Sequence, residues 1–161
     1  MAFVKDKLVV LWAYLAEVIL AGLVYILSFL LWDFDQIASF FIKTSDSLVT
    51  KFTAIMLAGS VAFFWAFYSH SNTDFSKWLY QKKVFNTYLW AFLTAIAVFI
   101  ATTIAFVITQ FTQNKIAGIV SGGLFILSVI NVFSFFKNIV GIMKLNIVFN
   151  IKRDHEKQKK E

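Results

Sequence analysis

Four long runs of apolar residues set the strongest limit on how this chain can fold. In chain order they cover residues 8–32, 48–69, 84–109 and 116–136. The charged residues inside them are Glu17 and Lys51. A helix needs about 20 apolar residues to cross a bilayer, and continuous runs lack the alternation of barrel strands. Because lipid offers no partner for the backbone polar groups of a lone strand, the runs predict an all-α integral membrane protein with four transmembrane helices.

The placement of basic residues predicts how these helices are oriented. Twelve of the 15 Lys and Arg residues lie in the two terminal segments or in the connection 70–83. Loops on the cytoplasmic side of a membrane carry the excess of Lys and Arg. The sequence therefore predicts four antiparallel helices in the inner (cytoplasmic) membrane, with both termini in the cytoplasm. The net charge of +6 then reflects topology and attraction to the inner leaflet, so direct nucleic-acid binding is not expected.

Small residues recur every four positions in the second, third and fourth runs, and the rows in the second and fourth are the candidate interfaces. They allow helix backbones to approach closely in a membrane, where no hydrophobic force drives helices together. Two interpretations are open. The rows either allow tight packing of helices within one chain, which is the favoured interpretation, or one row mediates oligomerisation, with the glycine row as the first candidate. The rows are Ala54, Ala58, Ala62 and Ala66 in the second run and Gly118 and Gly122 in the fourth.

Glu17 is the ionisable residue that lies deepest in the predicted hydrocarbon, about 13 Å from the cytoplasmic end of its helix. A charge there costs a few kcal/mol, so Glu17 should face the bundle interior or take up a proton. Either its carboxyl group bonds to a neighbour and fixes helix register, or it lines a path for protons or cations, alone or as a ring in an oligomer. Residues predicted at the same depth complete a polar layer: Ser60, Thr94, Ser128 and Asn131.

No combination of residues in the sequence predicts catalysis or a cofactor. The chain has no cysteine, which excludes disulfides, thiolate metal sites and cysteine nucleophiles. Glu17 has no second acid beside it in the hydrocarbon, so a carboxylate dyad is missing. His70 and Asp74 are only two potential ligands, whereas a zinc site takes three or four. We therefore expect no enzyme activity, no metal and no cofactor.

Two segments outside the runs have patterns of their own. Residues 33–47 predict a short amphipathic helix on the outer surface or a loop that caps the bundle, with Ser45 and Asp46 capping the second span. Residues 142–161, which follow the transmembrane domain 1–141, form a basic cytoplasmic tail.

Within the tail, residues 144–152 alternate with a period of two, which is typical of a β-strand. A lone strand needs a sheet to join, so this pattern predicts docking to a partner. The alternative is that the fourth helix continues and its apolar residues pack on the membrane surface. The alternating residues are Leu145, Ile147, Phe149 and Ile151.

Taken together, these features favour a non-enzymatic membrane subunit that oligomerises and anchors or senses for a larger complex. Residues 142–161 would recruit its cytosolic partner. The layout is similar to that of bacteriocin immunity proteins and of membrane subunits of bacterial defence systems, although no motif is shared. The alternatives are a small channel or membrane-disrupting effector built around Glu17, and an inhibitor of the bacteriocin-immunity type.

Overall fold

The computed structural model describes residues 2–158, with the side chains of residue 12 and of residues 14–158. Four of the described helical stretches are long and apolar enough to cross a membrane, which confirms the predicted helical class and the four candidate spans and is compatible with a multi-pass membrane protein. Residues 159–161, the end of the predicted tail, lie outside the described residues. The elements are α1 (Ala2–Leu31), α2 (Phe34–Leu48), a π-helical turn (Val49–Thr53), α3 (Ala54–Ser69), α4 (Asp74–Gln81), α5 (Phe85–Thr112) and α6 (Lys115–Gln158).

Helices α5 and α6 form the centre of the molecule, and both bury a residue at every seventh position. On α5 the buried rows are Phe85, Phe92, Phe99 and Phe106, and Ala95, Thr102 and Thr109; on α6 the row is Ser121, Ser128, Phe135 and Ile142. A repeat of seven keeps the same stripe of each helix facing its partner along the whole contact. The numbering of the paired residues rises along α5 while it falls along α6, as the hydroxyl pairs described below show.

Helix α2 packs on the first turns of α6, where two glycines make the contact possible. A Cβ atom added to Gly118 would lie 2.9 Å from the Ala38 carbonyl oxygen, and one added to Gly122 would overlap the Phe41 ring. Ile37, Ala38 and Phe41 are buried there. Residues 34–48 are thus helical as predicted, but this helix packs against α6 in the bundle and continues toward α3, so it is not a separate helix on the outer surface.

The prediction that Ser45 and Asp46 cap the second span is wrong. The helix runs from α2 through the π-helical turn into α3 without a break, so no free helix end exists at this point. The Ser45 hydroxyl instead donates to the Ile42 carbonyl oxygen at 2.8 Å. Polar side chains that can cap a helix can also bond back to a preceding carbonyl when the helix continues.

The predicted strand at 144–152 is also wrong, because these residues belong to α6. A helix that is already formed gains one backbone hydrogen bond for each added residue, whereas a lone strand in water gains none from itself. Gly141, inside α6, makes room for α5, since a Cβ atom there would lie 2.8 Å from the Tyr88 hydroxyl oxygen. No strand is present anywhere in residues 2–158.

Helix α1 lies at the edge of the molecule, and Ala21 is its one buried residue among those with described side chains. Two tyrosine hydroxyls attach it to the centre. Tyr14 donates to the Ala91 carbonyl oxygen of α5 and Tyr25 to the Ile119 carbonyl oxygen of α6, each at 2.6 Å. Most other side chains of α1 are exposed and apolar, which suits contact with lipid.

Candidate functional site

The carboxyl group of Glu17 lies between α1 and α6 and is half-buried. The Asn131 side chain, 1% exposed, donates from Nδ2 to Glu17 Oε2 at 3.4 Å. Of the residues predicted in the polar layer, Asn131 is the one whose side chain bonds to Glu17.

The other members of the predicted polar layer are not brought to Glu17. Ser128 bonds to Thr102 of α5. Thr94 donates to the Trp90 carbonyl oxygen of its own helix. Ser60 is a buried residue of α3. Equal depth in the membrane does not place side chains on facing sides of their helices. The layer is therefore split into one pair around Glu17 and separate hydroxyls elsewhere.

Two hydroxyl pairs connect α5 to α6, and depth alone did not predict them. Thr102 Oγ1 and Ser128 Oγ lie 2.6 Å apart, and Thr109 donates to Ser121 over 3.3 Å. The pairs are one heptad apart on both helices, and all four side chains are fully buried. Because the residues of each helix are spaced by seven in the sequence, this spacing is the signal that could have identified them.

The two predicted rows of small residues have different surroundings. Gly118 and Gly122 are buried against α2 in the same chain, so they are not free to contact a neighbouring molecule. The alanine row on α3, formed by Ala54, Ala58, Ala62 and Ala66, is exposed along its whole length. Gly59, also on α3, has open space around it.

The last part of α6, residues 137–158, extends past the predicted end of the fourth run, and we name it the projecting end. One side of it packs against α4, where the Phe149 ring lies 5.7 Å from both the Phe75 and the Trp78 ring centroids. The Arg153 guanidinium lies 5.8 Å from the Phe149 ring centroid. The connection 70–83 is thus folded, with α4 beginning where the Ser76 backbone N–H donates to the Thr73 hydroxyl oxygen at 3.3 Å.

A different side of the projecting end carries apolar residues with no contact to α4. Val140, Met143, Ile147 and Ile151 are 48%, 61%, 59% and 53% exposed, and we name these four residues the apolar stripe. Of the four predicted partner-binding residues, Ile147 and Ile151 belong to it. Leu145 and Phe149 are half-buried and lie on other faces of the helix. A strand would have placed all four on one face, whereas a helix separates them.

The titratable residues near α4 do not form a catalytic or metal-binding group. His70 Nδ1 lies 2.7 Å from the Ala66 carbonyl oxygen. A cleft of about 790 Å³ between the end of α3, α4 and the projecting end is lined by His70, Asp74, Asn146 and Arg153 among others. Among the residues whose side chains the structure describes, residue 12 and residues 14–158, no three His, Asp or Glu side chains come together in a way that could hold a metal ion.

Comparisons with known proteins give no relative from which a function could be transferred. No family model matches the chain, and neither the curated proteins nor the solved structures contain a match to it.

Proposed function

We propose that this chain is a non-enzymatic membrane subunit that recruits a cytosolic protein through the projecting end of α6. The observation that carries the proposal is the length of α6 together with the exposure of its apolar stripe. Its 44 residues extend over about 66 Å, while a bilayer with its headgroups is about 40–45 Å thick. Roughly a third of the helix would therefore stand outside the membrane.

The distribution of charge supports a cytoplasmic location for this end. Lys77 lies in α4, which packs on the projecting end, and Lys82 and Lys83 follow α4 directly. The projecting end itself contains five Lys and Arg residues. The positive-inside rule then gives an inner-membrane protein with antiparallel helices and both termini in the cytoplasm. The opposite end carries Asp35, which pairs with Lys115 at 2.9 Å.

The apolar stripe supports recruitment because it would otherwise face water. Each Å² of apolar surface that a partner covers contributes about 25 cal/mol to the free energy of binding. Burial of the large side chains of the stripe would therefore contribute substantially to binding. Because α6 is one continuous helix from Lys115 to Gln158, the projecting end continues in the direction of the fourth span, which favours a position in the cytoplasm over one along the membrane surface. A cytosolic partner is the cover that fits this geometry best.

Self-association through α3 is the second part of the proposal. The exposed alanine row of α3 is the smooth surface that membrane helices use for close contact. The glycine row of α6 is already used by α2, so it is not the expected interface. The subunit would then oligomerise through the membrane and bind its partner in the cytoplasm.

The channel and the immunity-type inhibitor remain the alternatives. The hydrogen bond between Asn131 and Glu17 within one chain favours a role of Glu17 in helix register over a role in conduction. A channel predicts a current in planar bilayers that Glu17→Gln alters. An inhibitor predicts that cells carrying the protein survive a pore-forming toxin.

Two truncations test the proposal. Protein lacking residues 142–161 and protein lacking only residues 154–161 are purified from their native membranes in mild detergent, and companions are quantified by mass spectrometry. The longer truncation removes three residues of the apolar stripe, whereas the shorter one leaves all four in place. We expect a stoichiometric companion to be lost with the longer truncation and kept with the shorter one. A companion that stays bound to the longer truncation would contradict recruitment by this segment.

A further inference from the structure

We propose that the recruited partner presents an acidic amphipathic helix, which packs lengthwise along the apolar stripe. This inference rests on the proposed recruiting function and specifies the chemistry of the partner. It follows from the spacing of the stripe, from the face that α4 leaves open and from the charge beside the stripe.

The spacing of the stripe indicates a helical occupant. Its members are separated by three, four and four residues, and Phe136 continues the row toward the membrane with a spacing of four. Apolar residues separated by three or four positions lie on one side of a helix, where another helix can pack along them. Asp154, three residues after Ile151, places a charge in line with the row and ends it. The row from Phe136 to Ile151 is therefore about two heptads long.

The stripe is open because α4 occupies a different face of the same segment. Phe149 contacts α4, and it lies two residues from both Ile147 and Ile151, about 200° away around the helix. A partner helix can therefore lie along the stripe without displacing α4. The exposure of Met143, 61%, and of Ile147, 59%, shows that no part of the described chain covers this face.

The charge beside the stripe selects an acidic partner. Lys137 and Lys144 are exposed, lie one heptad apart and follow the same edge of the stripe. The projecting end contains five basic residues and two acidic ones, Asp154 and Glu156. A second copy of this helix would bring like charges together, whereas a helix with Glu or Asp beside its apolar seam would pair with the lysines. The charge thus favours a different protein over self-association at this face.

A pair of designed peptides tests the inference on the full-length protein in nanodiscs of phosphatidylcholine. Both are three-heptad helices with leucine at the seam, one with glutamate and the other with lysine beside it. We expect the glutamate peptide to bind at least about tenfold more tightly. Ile147→Ser should weaken its binding by about tenfold, while Val148→Ser, which changes an exposed apolar residue outside the stripe, should leave it within about twofold.

A charge exchange makes the test specific. In the double variant Lys137→Glu and Lys144→Glu the preference should reverse toward the lysine peptide. Equal binding of both peptides to the native protein would overturn the inference, as would no binding of either. A disulfide between two copies of Met143→Cys, in nanodiscs that hold two copies, would overturn it in favour of self-association.

The outcome is separable from that of the truncation experiment. If the companion is lost with residues 142–161 but the peptides fail, recruitment stands and the acidic helix is excluded. If the companion survives truncation while the glutamate peptide binds selectively, the stripe is a helix-binding surface and the proposed recruiting function fails.

Discussion

The Phe149 ring packs against the Trp78 ring at a centroid distance of 5.7 Å, and this contact joins the projecting end of α6 to α4. It divides the projecting end into two faces with different surroundings. The face with Phe149 is held by the chain itself, whereas the face with Ile147 and Ile151 is exposed. A segment that is held on one side and open on the other is suited to present a surface to a partner.

Removal of the Phe149 ring should release α4. Phe149→Ala deletes aromatic contacts to Phe75 and Trp78, each of which contributes about 0.5–1.5 kcal/mol. We expect amide hydrogen exchange in residues 75–81 to accelerate by about tenfold or more, measured by mass spectrometry. Ile147→Ala is the matched control and should leave that exchange unchanged. Unaltered exchange in Phe149→Ala would mean that α4 is held by other contacts.

The glycines of α2 and α6 provide a second prediction. Gly118→Ala places a Cβ atom against the Ala38 backbone, so it should lower the free energy of unfolding by about 1–3 kcal/mol. Gly59→Ala meets no atom within 4 Å and should be neutral or slightly stabilising, because alanine favours a helix. Unfolding in mixed micelles measures both variants. Equal effects at the two positions would contradict the packing of α2 on α6.

The Thr102–Ser128 pair should show measurable coupling between α5 and α6. Hydrogen bonds between membrane helices contribute about 0.6 kcal/mol on average and up to about 1.7 kcal/mol. A double-mutant cycle with Thr102→Val and Ser128→Ala should give a coupling energy in that range. Thr103, whose hydroxyl donates to the Phe99 carbonyl oxygen of its own helix, supplies the control. A double-mutant cycle of Thr103→Val with Ser128→Ala should give no coupling energy.

Glu17 should stabilise the attachment of α1 to α6 through its hydrogen bond with Asn131. Glu17→Gln keeps an oxygen that can accept the Asn131 hydrogen bond, so α1 should stay attached and the free energy of unfolding should change little. Asn131→Leu removes the donor and should cost more than Glu17→Gln does, about 1 kcal/mol or more. The same unfolding assay compares the two. A current in planar bilayers that Glu17→Gln abolishes would contradict this account and support the channel.

The sequence was sufficient to predict the helical class and the four apolar spans, because membrane thickness and backbone hydrogen bonding leave few alternatives. It also identified Asn131 as one of the candidate partners of Glu17. The spans and this candidate partner depend only on the composition of each run and on the depth of each residue in it, and both can be determined one helix at a time.

What the sequence missed depends on relations between helices. The period of two at residues 144–152 is real, but the helix that precedes it and the contact of Phe149 with α4 outweigh local strand preference. The spacing of seven between Phe85, Phe92, Phe99 and Phe106 is visible in the sequence. It does not show which helix these residues face, so the packing of α5 on α6 could not be predicted from it. Equal depth likewise could not separate Ser128, which bonds to Thr102, from Asn131.

The most direct test of the recruiting surface is a photo-crosslinking scan along residues 140–152 in intact cells, with one crosslinkable amino acid introduced per variant. We expect one adduct of constant mass at residues 140, 143, 147 and 151, with little at residues 145 and 149, so that the yield follows the helical period. The variants at 145 and 149 lie in the same segment and control for its accessibility. Adducts of equal yield at every position, or adducts with a period of two, would contradict a helical docking face on α6.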